Sequence, residues 1–399
     1  MKPGVAARLH ASAIVAQVLD EGAHSNLLLD RDLPLRPVER ASTHRLVMDT
    51  LRWLVRTDQV LAGASRVPIA DLDPEVRSAL RVGITELLLG GDAHGVVDST
   101  VEAVRQGGAG RAAGFVNAVL RTVTRTELPI PDPAAAVGAP VWIRDRLAAQ
   151  WSTEEADAFL GATLEPAPIT VRVRPGETLP VGEPVEGIVG AWVVPTRADV
   201  ARHMVMDAAS TAAALAVEAR PGDAVLDVAA APGNKTLALV DAMQGGGFLV
   251  ATDRNPERVA VARRRLVAAG AEVPWVVADG TMPPFSAGSF DRILLDAPCT
   301  GLGTLRRRPE IKLRLDEGSP DRMAELQRRL VTASLPLLRP GGRLVYSVCT
   351  VFAEETTAIA TEFGGRPPHG LPGRVWGGGL LLAPHLTASD GMFITLLGG

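Results

Sequence analysis

Apolar residues recur every three to four positions through the first 126 residues, the spacing of amphipathic helices. Four stretches carry it most clearly: VAARLHASAIVAQVLDEG, THRLVMDTLRWLVRTDQVLAG, PEVRSALRVGITELLL and GRAAGFVNAVLRTVTRT. Asp73-Pro74-Glu75 is a helix-start signal, because proline at the first helical position gives up only an amide that has no partner there. ELPIPDPAAAVGAP, residues 127–140, holds four prolines and breaks the pattern, which predicts a linker. Residues 141–204 are mixed. VWIRDRLAAQW and TEEADAFLGAT predict helices, the second capped near Ser152 and Thr153, whereas ITVRVRP and GAWVVP predict short strands. From residue 205 to 399 short apolar runs alternate with helical periods: DAVLDVAAA, GFLVATDRN, VPWVVADG, FDRILLDAPC and GRLVYSVCTV as strands, with KTLALVDAM, ERVAVARRRLVAAG and DRMAELQRRLVTASLPLL as helices. That alternation predicts an α/β fold, a Rossmann-like doubly wound and mainly parallel sheet, preceded by an all-α domain (1–126) and a small α+β segment (141–204).

Composition narrows the class. A 47% hydrophobic and 22% charged chain of 399 residues has the balance of soluble globular domains and the length of two or three. No run of eighteen apolar residues is present and the N-terminus lacks a signal-peptide pattern, so a cytoplasmic protein with no membrane partner is expected. The chain has two cysteines, Cys299 and Cys349, neither with a histidine at ligand spacing, so no metal is expected and a structural disulfide is not. A net charge of −4 argues against a general nucleic-acid coat, but leaves room for a local basic groove.

The scarce residue types gather at predicted strand ends, where open α/β sheets build their sites. Asp227 to Thr236, DVAAAPGNKT, leaves a strand through small residues and enters a helix whose N-terminal amides can meet a polar ligand. Asp253 ends the next strand, where an acid can bind ribose hydroxyls. The glycine-dense phosphate loops of NAD or ATP sites are missing, so a ribose-bearing ligand without phosphate fits better, and S-adenosylmethionine is one. Asp296-Ala297-Pro298-Cys299 and Tyr346-Ser347-Val348-Cys349-Thr350, the latter followed by Glu354-Glu355, bring two thiols and an acid to neighbouring strand ends. That set suggests covalent attack with acid/base support, against the plain alternative of buried core thiols. Arg306-Arg307-Arg308-Pro309-Glu310-Ile311-Lys312-Leu313-Arg314 follows directly, and reads either as a solvated face or as a phosphate-gripping strip.

Together these segments resemble the RNA cytosine-5 methyltransferases. DVAAAPGNKT is similar to that family's donor loop, DAPCTGLGTLRRRPEIK to its Asp-Ala-Pro-Cys segment and the basic stretch after it, and YSVCTVFAEET to its second cysteine segment. VMDAAS at 205–210 resembles the opening of the same domain and Asp390-Gly391-Met392-Phe393 its close. The first 126 residues resemble the helical domain of the antitermination factor NusB, through ARLHA, ITELLL and GFVNAVLR. The sequence departs from the family at Ala229, Asn234, Met206 and Thr356, where cysteine, glycine, glutamine and asparagine are usual.

The resemblance implies a class I methyltransferase domain that moves a methyl group from S-adenosylmethionine to C5 of a cytosine in RNA. It names Cys349 as the thiol attacking C6, Cys299 as the group that aids release, and Asp296 as the contact to the base edge. It places the donor on Asp227, Ala229, Ala230, Ala231, Pro232, Gly233, Lys235, Asp253, Arg258, Asp279 and Asp296, and RNA on Arg306, Arg307, Arg308 and Lys312. Small-subunit 16S rRNA is the implied target, tRNA the alternative, and a monomer the expected state. An exocyclic-nitrogen methyltransferase would need no thiol. A binding protein with an inactive α/β part, docking RNA or transcription factors, would need neither thiol nor acid.

Overall fold

The computed structural model describes residues 4–126, 132–196 and 203–398. It divides into two compact units, 1–166 with 305–314, and 167–304 with 315–399.

The first unit is helical: α1 (Val5–Asp20), α2 (Ser25–Leu29), α3 (Pro37–Ala64), α4 (Pro74–Leu88), α5 (Ala93–Gln106), α6 (Ala113–Arg125), α7 (Pro133–Ala136), α8 (Val141–Gln150) and α9 (Thr153–Ala162). The expected starts are there. Pro74 stands in the first turn of α4, and the Ser152 hydroxyl accepts from the Glu155 amide to cap α9. Leu80, Ile84, Val116 and Leu120 bury one seam of α4 and α6; Ala11, Val15, Val47 and Leu51 bury another between α1 and α3.

Two expectations about organisation change here. Of the proline-rich stretch, residues 127–131 lie outside the described residues, while the rest holds α7 and buries Ala134, Ala135 and Ala139. The segment 141–204 is not one element either, since α8 and α9 belong to the helical unit and the strands after Ala167 to the other.

The largest correction concerns the basic run. Residues 305–314 fold onto the helical unit, with a short 3-10 turn at Pro309–Leu313. The Lys312 amine is buried and donates to the Arg52 carbonyl at 2.6 Å. Arg52 in turn donates to the Arg306 carbonyl at 2.9 Å, and the Ser25 hydroxyl donates to the buried Glu310 carboxylate at 2.9 Å. Lys312 therefore offers no charge to RNA, and Arg306 holds the Pro166 carbonyl at 3.0 Å; Arg308 is exposed. Pro309 and Leu313, apolar positions set among the cations, seat the run against protein.

Burial, reinforced by repulsion from Arg52, pushes Lys312 down from 10.5 to about 7. Between those values the unfolded chain binds the proton that the fold releases. Stability from this group is complete above the unfolded pKa and is lost as pH falls toward 7. At about 1.36 kcal/mol per unit the range is roughly 3–5 kcal/mol. Lys312→Met, close in shape and without charge, should flatten the rise in unfolding free energy between pH 7 and 10. Denaturant melts of both proteins across that range check it, and parallel curves would show that Lys312 keeps its proton in the fold.

The second unit opens with a four-stranded antiparallel sheet in the order β2-β3-β1-β4, from β1 (Ile169–Arg172), β2 (Glu183–Pro184), β3 (Ala191–Val194) and β4 (Met204–Val205). Helix α10 (Ala208–Ala216) leads into β5 (Ala224–Val228), α11 (Asn234–Met243), β6 (Phe248–Asp253), α12 (Pro256–Ala268), β7 (Trp275–Val277), β8 (Phe290–Asp296), α13 (Ser319–Ser334) and β9 (Leu338–Val348). It closes with α14 (Thr357–Glu362), β10 (Arg374–Trp376), β11 (Gly379–Leu382), α15 (Pro384–Thr387) and β12 (Met392–Leu397). The large sheet runs β10-β11-β12-β9-β8-β5-β6-β7. Strands β7, β6, β5, β8 and β9 are parallel, as expected, and β12, β11 and β10 extend the β9 edge antiparallel.

The apolar runs are continuous because both faces are covered. Val225, Leu294 and Val345 pack with α10 and α11, while Leu226, Ile293, Leu295, Leu344 and Tyr346 pack with α13 on the other face. Among the described residues no helix is long and apolar enough to cross a membrane, and no cluster of His, Cys, Asp and Glu is arranged to hold a metal ion.

Candidate functional site

Strands β8 and β9 run in parallel register, with Asp296 opposite Ser347. Their C-terminal ends therefore bring the two cysteine loops together, and Cys299 Sγ lies 3.3 Å from Cys349 Sγ with both residues half-buried. The Cys299 thiol is held well above its ordinary pKa, chiefly by its hydrogen bond to Cys349, then by burial. Either sulfur can be the donor of the S–H···S contact, and a protonated Cys299 can donate to Cys349 across it.

Asp296 is fixed between two partners. Lys235 Nζ donates to Oδ2 at 2.7 Å and the Ser347 hydroxyl to Oδ1 at 2.9 Å. Burial alone would lower the Lys235 ammonium, but attraction and hydrogen bonding to Asp296, with Cys349 and Asp227 adding, raise it overall. A permanent cation thus stands beside the base-contact candidate and near the sulfur.

Strand β5 delivers the loop 229–233 to the N-terminus of α11. Ala229 takes a left-handed φ of 56°, and the Ala230 amide donates to the Thr252 carbonyl at 2.8 Å. Gly233 has φ 96°, and a Cβ there would sit 2.5 Å from the Leu266 methyl, so the position requires glycine. Asn234 begins the helix with its amide donating to the Val205 carbonyl at 3.2 Å, so the left-handed turn falls on Gly233 and not on Asn234. Met206 is buried with Ala214 and Ala238, and Thr356 is buried with its hydroxyl donating to the Phe352 carbonyl at 2.7 Å.

Asp227 is fully buried and takes a 2.6 Å bond from the Thr236 hydroxyl, while its Oδ1 has no hydrogen-bond partner. Burial raises it to about 7, against the lowering effect of Thr236. Asp253, at the end of β6, receives the Asn255 amide at 3.0 Å and the Ala231 amide at 3.3 Å, with Arg258 at 3.3 Å. Arg258 also donates to the Ala231 carbonyl, so it clasps the loop to that acid. Asp279 is exposed just beyond β7, with its carboxylate lowered by the Thr281 amide and hydroxyl.

A buried orphan oxygen and a second acid one strand over suit a ligand carrying hydroxyl and ammonium groups. S-adenosylmethionine has both. The sequence-based candidates Asp227, Ala229 to Gly233, Lys235, Asp253, Arg258, Asp296, Cys299 and Cys349 all lie on the β5, β6, β8 and β9 ends or the segments leaving them, whereas Arg306, Arg307, Arg308 and Lys312 belong to the helical unit.

Several residues of the quoted segments were not among the sequence-based candidates. Ser347 shares Asp296, and Thr300, Thr350 and Gln327 converge on Glu355. The Asn255-Pro256 pair was a readable helix cap, since Asn255 accepts the Glu257 and Arg258 amides. Nothing local marks Ser347 or Thr300.

Comparison with known proteins gives the lineage of the chain. The family model described as 16S rRNA methyltransferase RsmB/F matches residues 214–372, and that of the NusB family matches 5–125. The ribosomal RNA small subunit methyltransferase B of Xanthomonas campestris pv. campestris is 32% identical over 99% of this chain and 97% of its own. Its Thermus thermophilus counterpart is 36% identical over 92% and 89%. Among solved structures, PH0851 superposes with a TM-score of 0.82 at 22% identity over 100% of this chain and 99% of that one. NSun6 from Pyrococcus horikoshii with SFG gives 0.56 at 19% over 65% and 98%. These two speak for the fold, and the full-length relatives for the lineage: the chain belongs to the RsmB/F family of 16S rRNA methyltransferases.

Proposed function

We propose that the protein methylates C5 of a cytosine in small-subunit rRNA, with S-adenosylmethionine as donor and a covalent Cys349 adduct at C6. The observation that carries this reading is the pair of thiols 3.3 Å apart at adjacent strand ends, next to the Lys235–Asp296 pair. A reaction at an exocyclic nitrogen has no use for either sulfur.

Cytosine C5 is a weak nucleophile. Addition of the Cys349 thiolate to C6 pushes electrons toward N3 and makes C5 enamine-like. Asp296 then holds the N3 edge and favours its protonation, and Lys235 offsets the negative charge that arrives with the thiolate. The bound donor supplies an electrophilic methyl group. After methylation C5 carries both the new methyl and its original proton. A water molecule takes that proton as base, N3 gives its proton back to Asp296, the C5–C6 double bond re-forms and Cys349 leaves as a thiolate. The neutral Cys299 S–H stabilises that leaving sulfur through the contact already present. The base must be unstacked to reach the strand ends, so single-stranded or flipped RNA is the substrate form. A monomer acting on 16S rRNA without a metal completes the reading, with the exposed Arg308 as a candidate for phosphate contact.

The test is incubation with S-adenosylmethionine and 16S rRNA fragments, read by bisulfite sequencing and nucleoside mass spectrometry. 5-Methylcytosine supports the proposal; an N4-methylated product would overturn it. Donor placement has its own test. Asp253→Ala removes a charged acceptor of ribose hydroxyls, at a cost of about 1.5–3 kcal/mol, or roughly 10- to 150-fold in donor affinity. Calorimetry with S-adenosylmethionine measures it, and an unchanged dissociation constant would move the ligand away from β6.

A further inference from the structure

Glu355 follows the Cys349 strand by six positions, yet it binds both cysteine loops. Its carboxyl is fully buried. From the Cys299 side, the Thr300 amide donates to Oε2 at 2.9 Å and the Thr300 hydroxyl lies in hydrogen-bond contact with Oε1. From the Cys349 side, the Thr350 hydroxyl donates to Oε1 at 3.2 Å. Gln327 Nε2 bridges Oε2 at 3.0 Å to the Pro298 carbonyl at 2.9 Å, which ties in the residue before Cys299. The Tyr346 hydroxyl donates to the Glu355 carbonyl at 2.7 Å, so the backbone of the acid is fixed to β9 as well.

The hydrogens can be counted. Thr300 Oγ1, Thr350 Oγ1 and Glu355 Oε1 form a triangle with three contacts, the Thr–Thr edge being 2.7 Å. Two hydroxyls supply two hydrogens. A third, on the carboxyl, completes the ring when the hydrogens run head to tail, from Oε1 to Thr300 Oγ1, from Thr300 to Thr350 and from Thr350 back to Oε1. Burial agrees, since it raises Glu355 from 4.5 to about 7 despite the lowering effect of its hydrogen bonds.

We propose that Glu355 is a positioning residue for the two thiols: it joins the loop at Thr300 to the loop at Thr350 and so sets the sulfur-to-sulfur spacing on which attack and release both depend. The inference rests on the two-thiol reaction proposed above. Its chemistry is not charge donation to the substrate but geometry. A carboxamide preserves the geometry, because its oxygen accepts the Thr300 and Gln327 N–H groups and its NH2 supplies the triangle's missing hydrogen. A methyl group leaves a cavity and orphans the Thr300 amide. Misplacement of reacting groups by about 1 Å can cost on the order of 100-fold.

The experiment reads spacing without RNA. Wild type, Glu355→Gln, Glu355→Ala and Thr350→Val are treated with diamide, and the rate of Cys299–Cys349 disulfide formation is followed by peptide mass spectrometry. Steady-state methylation is measured alongside. Glu355→Ala should slow disulfide closure about tenfold and lower kcat roughly 30- to 100-fold, with RNA KM and donor affinity within about threefold. Glu355→Gln should recover to within about fivefold on both readouts. Thr350→Val, which keeps the carboxyl and loses one edge, should fall between, so the proposal stays testable even if the alanine variant does not fold. Equal disulfide rates in all four proteins would overturn it, and so would a glutamine variant as slow as alanine, which would make Glu355 a proton carrier. Failure of the two-thiol reaction itself would show elsewhere, as a wild-type enzyme that forms no adduct with 5-fluorocytosine RNA.

Discussion

Cys349→Ala is expected to lower methyl transfer by roughly a thousandfold or more, while donor affinity stays within about twofold. A thousandfold corresponds to about 4 kcal/mol of lost transition-state stabilisation. The reason is that no other described group replaces the nucleophile. Cys299 lies next to it, but its contact with Cys349 and its burial raise its pKa and make it the poorer thiolate. Lys235 is held by Asp296. The substitution removes one sulfur at the end of β9 and leaves the Gly303 amide bond to the carbonyl of residue 349, at 3.0 Å, in place. The donor loop, on β5 and α11, is untouched. Single-turnover methylation with saturating RNA, paired with calorimetry on the donor, measures both arms. Activity within tenfold of wild type would remove Cys349 from the reaction.

Much of this site was legible in the chain. Parallel strands covered on both faces must be apolar throughout, and their C-terminal ends must carry the polar chemistry, so DAPC and YSVCT announced themselves by position. The Gly233 requirement was legible too, as a turn into a helix. What was hidden depends on contacts between distant residues. Helix α5 fell within the stretch read as helical, although Val96, Val97, Val101 and Val104 with Gly95 in its first turn are a poor set of helix formers, and burial of those valines holds it. The strands β10 to β12 follow a glycine- and proline-rich stretch and add to the β9 edge by main-chain pairing, which no periodicity reveals.

The basic run at 305–314 shows the limit of reading charge as surface. Five cations in nine residues look like a nucleic-acid strip until their partners are known. Here Lys312 and Arg306 are bound to main-chain carbonyls of the helical unit, and Glu310 to Ser25. The run thus acts as structure for that unit, although it begins one residue after Thr304 in the catalytic one. Removing the N-terminal helices would strip Lys312 and Glu310 of their partners and expose the apolar side of the run, Leu313 included, to water. The catalytic unit is therefore best studied in the full chain.

Cys299→Ala should separate attack from release. Cys349 remains able to add to C6, and Asp296 with Lys235 remains in place to receive the base edge. What disappears is the S–H that stabilises Cys349 as it leaves. The expected result is a protein–RNA species that survives denaturing electrophoresis, with turnover lowered about a hundredfold while the first methyl transfer persists. Cys299→Ser is the sharper comparison, since an O–H can still donate to the leaving sulfur, so its adduct should decay faster than that of alanine. Burial gives the reason for expecting a clean outcome: Cys299 packs against the core beneath β8, so losing its sulfur leaves a small cavity and not a collapsed loop, because Glu355 still holds Thr300. Gel-shift of the covalent species over time, with labelled donor, measures both stages. If neither variant accumulates an adduct and turnover stays normal, the Cys299 sulfur only fills space; if both lose the first methyl transfer, Cys299 acts earlier, by carrying the proton that activates Cys349.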